Sequence, residues 1–356
     1  MFHKKTIRDI NVKDQTVLVR TDYNVPMKDG KVEDASRVTE SFATLKYLLD
    51  KGAGKIIIVS HMGRPEGQRV PELSLKPLVE ILAEGLGRKV DFVDDVSGPE
   101  VEMAVEDLKK GEILLLENLR FFPGEEKNSE DFAREIVDSI HPDLVVEDGF
   151  AVVHRAHAST DAITHLVPTV AGLLVEKEAV ALSKIMSDAE KPLLVIIGGA
   201  KVEDKQPLIE AFLPLADKIA VGGKIAADGY EAKDAKIYVA EDFDTDGTGA
   251  KLDIGPVATA EIAKMIVEAK TVIWNGALGK VEDPAFDTSS TVVAKLLGEN
   301  PEIYSVILGG DTTGFVRYLQ SQSPELEYSL VSTGGGAALE FLLGKKLPGI
   351  ENLEDK

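Results

Sequence analysis

PLLVIIGGAKVEDK, residues 192–205, decides the architecture. Leu193 to Ile197 is apolar at every position, so a strand here is buried on both faces, as in a parallel sheet. Gly198 and Gly199 end the run, and Lys201 and Lys205 follow four residues apart, one face of a helix. The same order of apolar run, polar or glycine-rich end and helix-like segment recurs along the chain. VLVR, KIIIVSH, KVDFV, EILLLEN and DLVVEDGF lie in the first half. KIAVGGK, KIYVAED, TVIWNGALG, YSVILGGDT and YSLVSTGGG lie in the second. Between them RVTESFATLKYLLDKG, SLKPLVEILAEGLG (with a Ser cap), SEDFAREIVDSI and TAEIAKMIVEAK have helical period. Strand–helix alternation throughout predicts an α/β protein. Eleven strands strain a single sheet, so two sheets are expected, divided within residues 167–192, which read as helical from about Ala171. The acidic stretch 241–253 reads as a flexible connection.

Composition narrows the function. The chain has 356 residues, 44% hydrophobic and 28% charged, an ordinary globular balance of a length that suggests two domains. A net charge of −21 argues against nucleic acid as a partner, because a phosphate backbone needs a basic face. No apolar run approaches the ~18 residues of a membrane span. The start MFHKKTIRDI has no signal-peptide core, and there is no cysteine, so a cytoplasmic protein without Cys-ligated metal is expected.

Arginine is unevenly distributed: nine of ten lie before residue 160. In α/β sheets ligands bind beyond the carboxyl ends of strands. Those ends carry TDYN (Asp22, Asn24), SHMGRP (His61, Arg64), ENLRFF (Arg120) and HRAH (His154, Arg155, His157), with Arg37 close by. Such a face suits a small polyanion. Arg20, on an apolar strand, is left without a role, and Arg8, Arg69, Arg88 and Arg134 read as surface charges. The strand ends of the second half are glycine-rich. They add Lys201, Lys205 and Asp311 and end in STGGGAALEFLLG, where free N–H groups at a helix start bind phosphate. That set suits a nucleotide polyphosphate with Mg²⁺ on Asp311. No Walker loop, GxGxxG or nucleophile motif occurs. Two sheets with two anion sites point to phosphoryl transfer by positioning and charge neutralisation.

At these residues the chain resembles the phosphoglycerate kinase family. The resemblance runs through VLVRTDYNVP, IIIVSHMGRP, ENLRFFPGEE, HRAHAST, IIGGAKVEDK, LDIGP, WNGALGKVE, GGDTTG and VSTGGGAALEFLLGKKLPG. It implies two Rossmann-like parallel-sheet domains, 1–166 and 191–346, joined by a hinge helix at 167–190, with the tail 347–356 packing back on the first. It implies phosphoryl transfer between 1,3-bisphosphoglycerate and ADP, giving 3-phosphoglycerate and ATP with Mg²⁺, by a monomer. Carried over by motif, Asp22, Asn24, Arg37, His61, Arg64, Arg120 and Arg155 would hold the phosphoglycerate, with His154 and His157 in supporting places. Lys201, Arg37 and Gly334, Gly335 and Gly336 would stabilise the moving phosphoryl group. Lys201, Lys205, Gly199, Gly222, Asn275, Gly310 and Thr312 would line the nucleotide phosphates, Glu282 the ribose and Asp311 the Mg²⁺.

The departures cluster on the nucleotide side. The family's GGGMA, WNGPMGVFE and GGGDT read VGGKIA (Lys224), WNGALGKVE (Ala277, Lys280) and LGGDT (Leu308) here, and its NDAF reads EDGF. Little lies between Tyr230 and Asp253, where the family carries a further long helix. A chain that holds nucleotide or phosphoglycerate with little or no turnover is the alternative, and a steady-state assay separates the two.

Overall fold

Two six-stranded sheets carry the chain, every strand parallel to its neighbours. The computed structural model describes residues 2–356, side chains of 202–204 excepted. Contacts divide them into an N-terminal unit, Phe2–Ala179 with Lys346–Lys356, and a C-terminal unit, Val180–Lys345.

The N-terminal sheet is built from β1 (Thr16–Arg20), β2 (Lys55–Val59), β3 (Val90–Val93), β4 (Glu112–Leu116), β5 (Leu144–Glu147) and β6 (Thr169–Ala171). Their spatial order is β3-β4-β2-β1-β5-β6. Because side chains alternate across a strand, its apolar runs feed two cores. Val17, Val19, Ile56, Ile58, Leu144 and Val146 enter one cluster; Leu18, Ile57, Val59 and Val145 enter the other. Each such side chain contributes about 1.5–3 kcal/mol on burial. The order of strands reverses between β1 and β5, which opens a crevice at their carboxyl ends.

The C-terminal sheet contains β7 (Leu193–Ile197), β8 (Lys218–Val221), β9 (Ile237–Val239), β10 (Thr271–Asn275), β11 (Tyr304–Leu308) and β12 (Leu330–Val331), ordered β9-β8-β7-β10-β11-β12. This is the doubly wound order, with its switch between β7 and β10. There the turns touch backbone to backbone. A Cβ on Gly198 would stand 2.2 Å from the Ala277 carbonyl oxygen, and one on Gly276 2.3 Å from that of Gly198.

Several elements differ from the sequence expectation. Residues 169–171 are a strand, β6, and the helix that follows runs Leu173–Asp188, crossing the boundary between the units. The stretch at 241–253 is an antiparallel hairpin, Phe243–Thr245 with Lys251–Ile254, rather than a flexible connection. An Asp246 carboxylate that accepts from Thr248 and Ala250 closes its turn. The segment 37–52 is two helices, Ser36–Glu40 and Phe42–Asp50. Ser74 is not a cap: the helix begins at Leu78, and the Ser74 hydroxyl donates to Glu117 at 2.6 Å. Ser129 does cap its helix, accepting from the Phe132 N–H. Among the described residues no helix is long and apolar enough to cross a membrane.

Candidate functional site

In the N-terminal unit the carboxyl ends of β1, β2, β4 and β5 converge. Asp22, just past β1, accepts from the Arg37 guanidinium and from the N–H of Asn24. The Asn24 side chain accepts from Gly63 N at 2.9 Å, tying the first loop to the second. Arg120 is buried and donates to the Gly63 carbonyl at 2.7 Å, with its Nε 3.3 Å from Glu126. Arg155 is half-buried and donates to the His154 ring at 3.2 Å, while Arg64 and Asn24 are exposed.

The two buried histidines add no charge near neutral pH. His61 is held well below the ordinary range by burial and by Arg20, Arg120 and Arg37. Burial and the Arg20, Arg120 and Arg155 guanidiniums push His157 down to about 3. His157 therefore adds nothing to the positive potential at HRAHAST, to which Arg155 contributes.

Arg20 proves to be the keystone of this face. It is fully buried at the end of β1, donates to Ser159 Oγ at 2.9 Å and to the Thr21 carbonyl, and lies 3.7 Å from Glu125. Glu125 in turn accepts from Ser159 N at 3.0 Å and Ser159 Oγ at 2.6 Å, and its own carbonyl accepts from Ala158 N. One buried ion pair thus locks the HRAHAST loop to the sheet. The available signal was Arg20 itself, a charge on an otherwise apolar strand, and the acid in ENLRFFPGEE.

Glu147 ends β5 and Asp148 follows it. Burial pushes Glu147 up to about 8 and Asp148 up to about 7. Arg20, opposite Glu147 in the sheet register, only partly offsets this, and Asp148 and Glu125 add to it. Since the folded-state value lies above the ordinary 4.5, the unfolded chain ionises Glu147 first as pH rises. Stability from this group is then lost between about pH 4.5 and pH 8. Glu147→Gln is expected to gain stability over the unaltered chain progressively from pH 5 to pH 8 in denaturant titrations. A difference independent of pH would show that Glu147 does not titrate this way.

In the C-terminal unit a cavity of about 960 Å³ lies beyond β7, β10 and β11. Gly199, Lys201, Lys205, Glu282, Gly310, Asp311, Thr312, Gly335 and Gly336 all line it. Gly222, Asn275 and Gly334 are not in the lining. The Gly334 N–H is donated to Ser332 Oγ at 2.9 Å. Asn275 is fully buried, with Oδ1 accepting from Lys205. Its Nδ2 and the buried Thr312 Oγ1 have no hydrogen-bond partner among the described residues. Both lie 3.7 Å from where a Cβ of Gly309 would stand, and φ of +92° there requires glycine. Two buried donors left open beneath a glycine turn are costly unless a ligand oxygen meets them. Asp311 is the second residue of the helix Gly310–Gln322 and faces this cavity. Among the described residues no group of three or more His, Asp or Glu could hold a metal. A single carboxylate fits Mg²⁺, which takes its remaining ligands from phosphate and water. Lys224 pairs with Asp228 at 2.5 Å and Lys280 lies 3.7 Å from Asp283, so each unusual lysine has a carboxylate beside it.

A family model described as phosphoglycerate kinase matches residues 7–243 and 227–345. The chain belongs to the phosphoglycerate kinase family. It is similar to the phosphoglycerate kinase of Fervidobacterium nodosum, at 39% identity over 404 aligned positions that cover 100% of this chain and 99% of that one. Among solved structures it resembles phosphoglycerate kinase from Pyrococcus horikoshii, with TM-score 0.84, 27% identity and 99% and 98% of the two chains covered. The structure of phosphoglycerate kinase from Coxiella burnetii matches with TM-score 0.80, 30% identity and 98% of each chain covered. The chain is an enzyme of that family, an ATP-binding kinase of glycolysis, and the family works on a magnesium nucleotide. It is also a short member: 404 aligned positions against 356 residues leave 48 without a counterpart here. The family match restarts between residues 227 and 243, which puts a break where the long helix was expected to be missing.

Proposed function

We propose that this chain transfers a phosphoryl group between 1,3-bisphosphoglycerate and ADP with the two strand-end clusters described above. The observation that carries the assignment of the nucleotide side is the pair of open buried donors, Asn275 Nδ2 and Thr312 Oγ1, beside Lys205 in a glycine-lined cavity. Phosphate oxygens satisfy such donors, and glycine turns let the backbone approach them. Lys201 and Lys205 balance the phosphate charge, Glu282 takes the ribose, and Gly199 and Gly310 keep the walls open. Gly222 and Gly334 act behind the lining by shaping turns. Asp311 would hold Mg²⁺, whose role when bound is to neutralise charge on the phosphates.

On the other side Arg37, Arg64, Arg120 and Arg155 hold the two negative ends of phosphoglycerate, with Asp22 and Asn24 on its hydroxyl. His61, neutral, orients without charging. Lys201, Arg37 and the N–H groups of Gly335 and Gly336 stabilise the group in transit. A carboxylate or ADP oxygen is the nucleophile, so no general base is needed. The helix Leu173–Asp188 serves as the hinge, and the working form is a monomer in the cytoplasm.

Coupled turnover with 3-phosphoglycerate and MgATP, beside MgGTP, tests this reading. Saturable turnover is expected; its absence with phosphoglycerate still bound in calorimetry would point to a binding protein. Arg37→Ala is expected to lower kcat and raise the KM for 3-phosphoglycerate together, each about tenfold or more, the scale of a lost charge-assisted contact. An effect on nucleotide KM alone would contradict its placement.

A further inference from the structure

A second cavity, of about 890 Å³, adjoins the nucleotide cavity in the C-terminal unit. Tyr230 and Tyr238, in the region where the family match breaks, and Glu261 lie on its wall. Phe243 and Lys251, one from each strand of the hairpin, line both cavities. The hairpin is therefore the partition between them. Its position is fixed at both ends. The Asp242 carboxylate accepts from Val257 N and Ala258 N at 2.8 Å each, capping the helix Pro256–Glu268. Asp253 accepts from Ser289 N at 3.0 Å at the start of the helix Thr288–Gly298. A bulge between Asp244 and Thr245 turns the strand locally. Lys251 holds its ammonium 4.3 Å from the centre of the Phe243 ring and 3.3 Å from the Ala227 carbonyl, closing the partition against the neighbouring helix.

Phe243 is the one aromatic residue in the lining of the nucleotide cavity among the described residues. The rest of that lining is glycine, lysine, small or aliphatic residues, Thr312 and four carboxylates, Asp253, Glu282, Asp311 and Glu340, none of which offers a planar apolar surface. A nucleobase needs an apolar plane, and aromatic rings supply it.

We infer that the Phe243–Ile254 hairpin does the work of the missing helix, with Phe243 as the packing surface for the nucleotide base and Lys251 as its brace. The inference rests on the nucleotide reading of the cavity. It makes Phe243 a determinant of nucleoside binding, separate from phosphate binding.

Calorimetry with ADP and with inorganic pyrophosphate, each with Mg²⁺, tests it on the full chain. Phe243→Ala is expected to raise the Kd for ADP about tenfold, within the range for a lost base–aromatic contact, and to leave pyrophosphate unchanged. Phe243→Leu, which keeps bulk without the ring, should fall between, and Phe243→Tyr should restore ADP affinity. Unchanged ADP affinity in folded Phe243→Ala, or equal weakening of ADP and pyrophosphate, would overturn the role of Phe243. Failure of the unaltered chain to bind ADP would overturn the nucleotide reading itself.

Discussion

Lys201→Ala is expected to lower kcat by about 10²–10³, the scale of removing one donor that acts on charge developing in the transition state. Lys201 is the residue just before the helix Val202–Phe212; it is exposed and lines the nucleotide cavity. Because it is exposed, its removal should leave stability nearly unchanged, as for surface substitutions generally. The KM for 3-phosphoglycerate should also stay near its original value, because that ligand is assigned to the arginine cluster. Steady-state kinetics in both directions, with thermal melts as a control, checks this. Near-normal kcat in the folded variant would remove Lys201 from the transfer step, and Lys205 would be examined next.

The second large effect is on stability. Glu125→Ala is expected to cost about 3–5 kcal/mol, the usual result of stranding one partner of a buried ion pair. Arg20 would be left at 0% exposure with its opposite charge gone, and Ser159 would lose the acceptor of both its N–H and its hydroxyl. For a unit of this size the melting temperature should fall by roughly 10 °C. The loop that carries Arg155 and His157 is held by the same carboxylate, so phosphoglycerate affinity should drop with it. ADP affinity should not, since every lining residue of the nucleotide cavity belongs to the other unit. A melting temperature within a degree or two of the original would mean that the pair is solvated and the loop is held by other means.

Two buried groups of the N-terminal unit respond in opposite ways to acid. His157, with its pKa pushed down to about 3, is neutral in the folded chain, whereas an unfolded histidine charges near 6.5. Its contribution to stability is therefore present above pH 6.5 and lost as the pH falls toward 3. Glu147 acts in the opposite sense; burial drives both shifts, while the neighbouring guanidiniums add to that of His157 and Arg20 opposes that of Glu147.

Much of the fold is legible in residue order. A run such as LLVII, apolar on both faces and ended by glycines, leaves few alternatives to a covered parallel strand, and the doubly wound order of the second sheet follows from repeating it. Thr169–Ala171 is different. Three residues next to a long helix carry too little periodicity to separate strand from helix start, and pairing with β5, with a bridge from Thr6 to Ala171 on the other side, makes them a strand. The hairpin at 243–254 was hidden for another reason: its composition is acidic and polar, and its order comes from the Asp242 and Asp253 carboxylates capping helices that follow later in the chain.

The same division runs through the sites. By itself the sequence determined which groups stand at the strand ends, because a strand's last residue is set by local pattern: Asp22, His61, Arg120 and Arg155 on one sheet, Lys201 and Asp311 on the other. Tertiary structure alone decided which of them carry charge and which side chains hold them. It buried His61 and His157 among arginines and so kept them neutral. It joined Arg20 to Glu125 across more than a hundred residues of chain, and it brought Phe243 and Lys251 to one wall of a cavity. The physical reason is range. Strand and turn propensities act over a few neighbouring residues, whereas desolvation and ion pairing depend on what the completed fold places around a group.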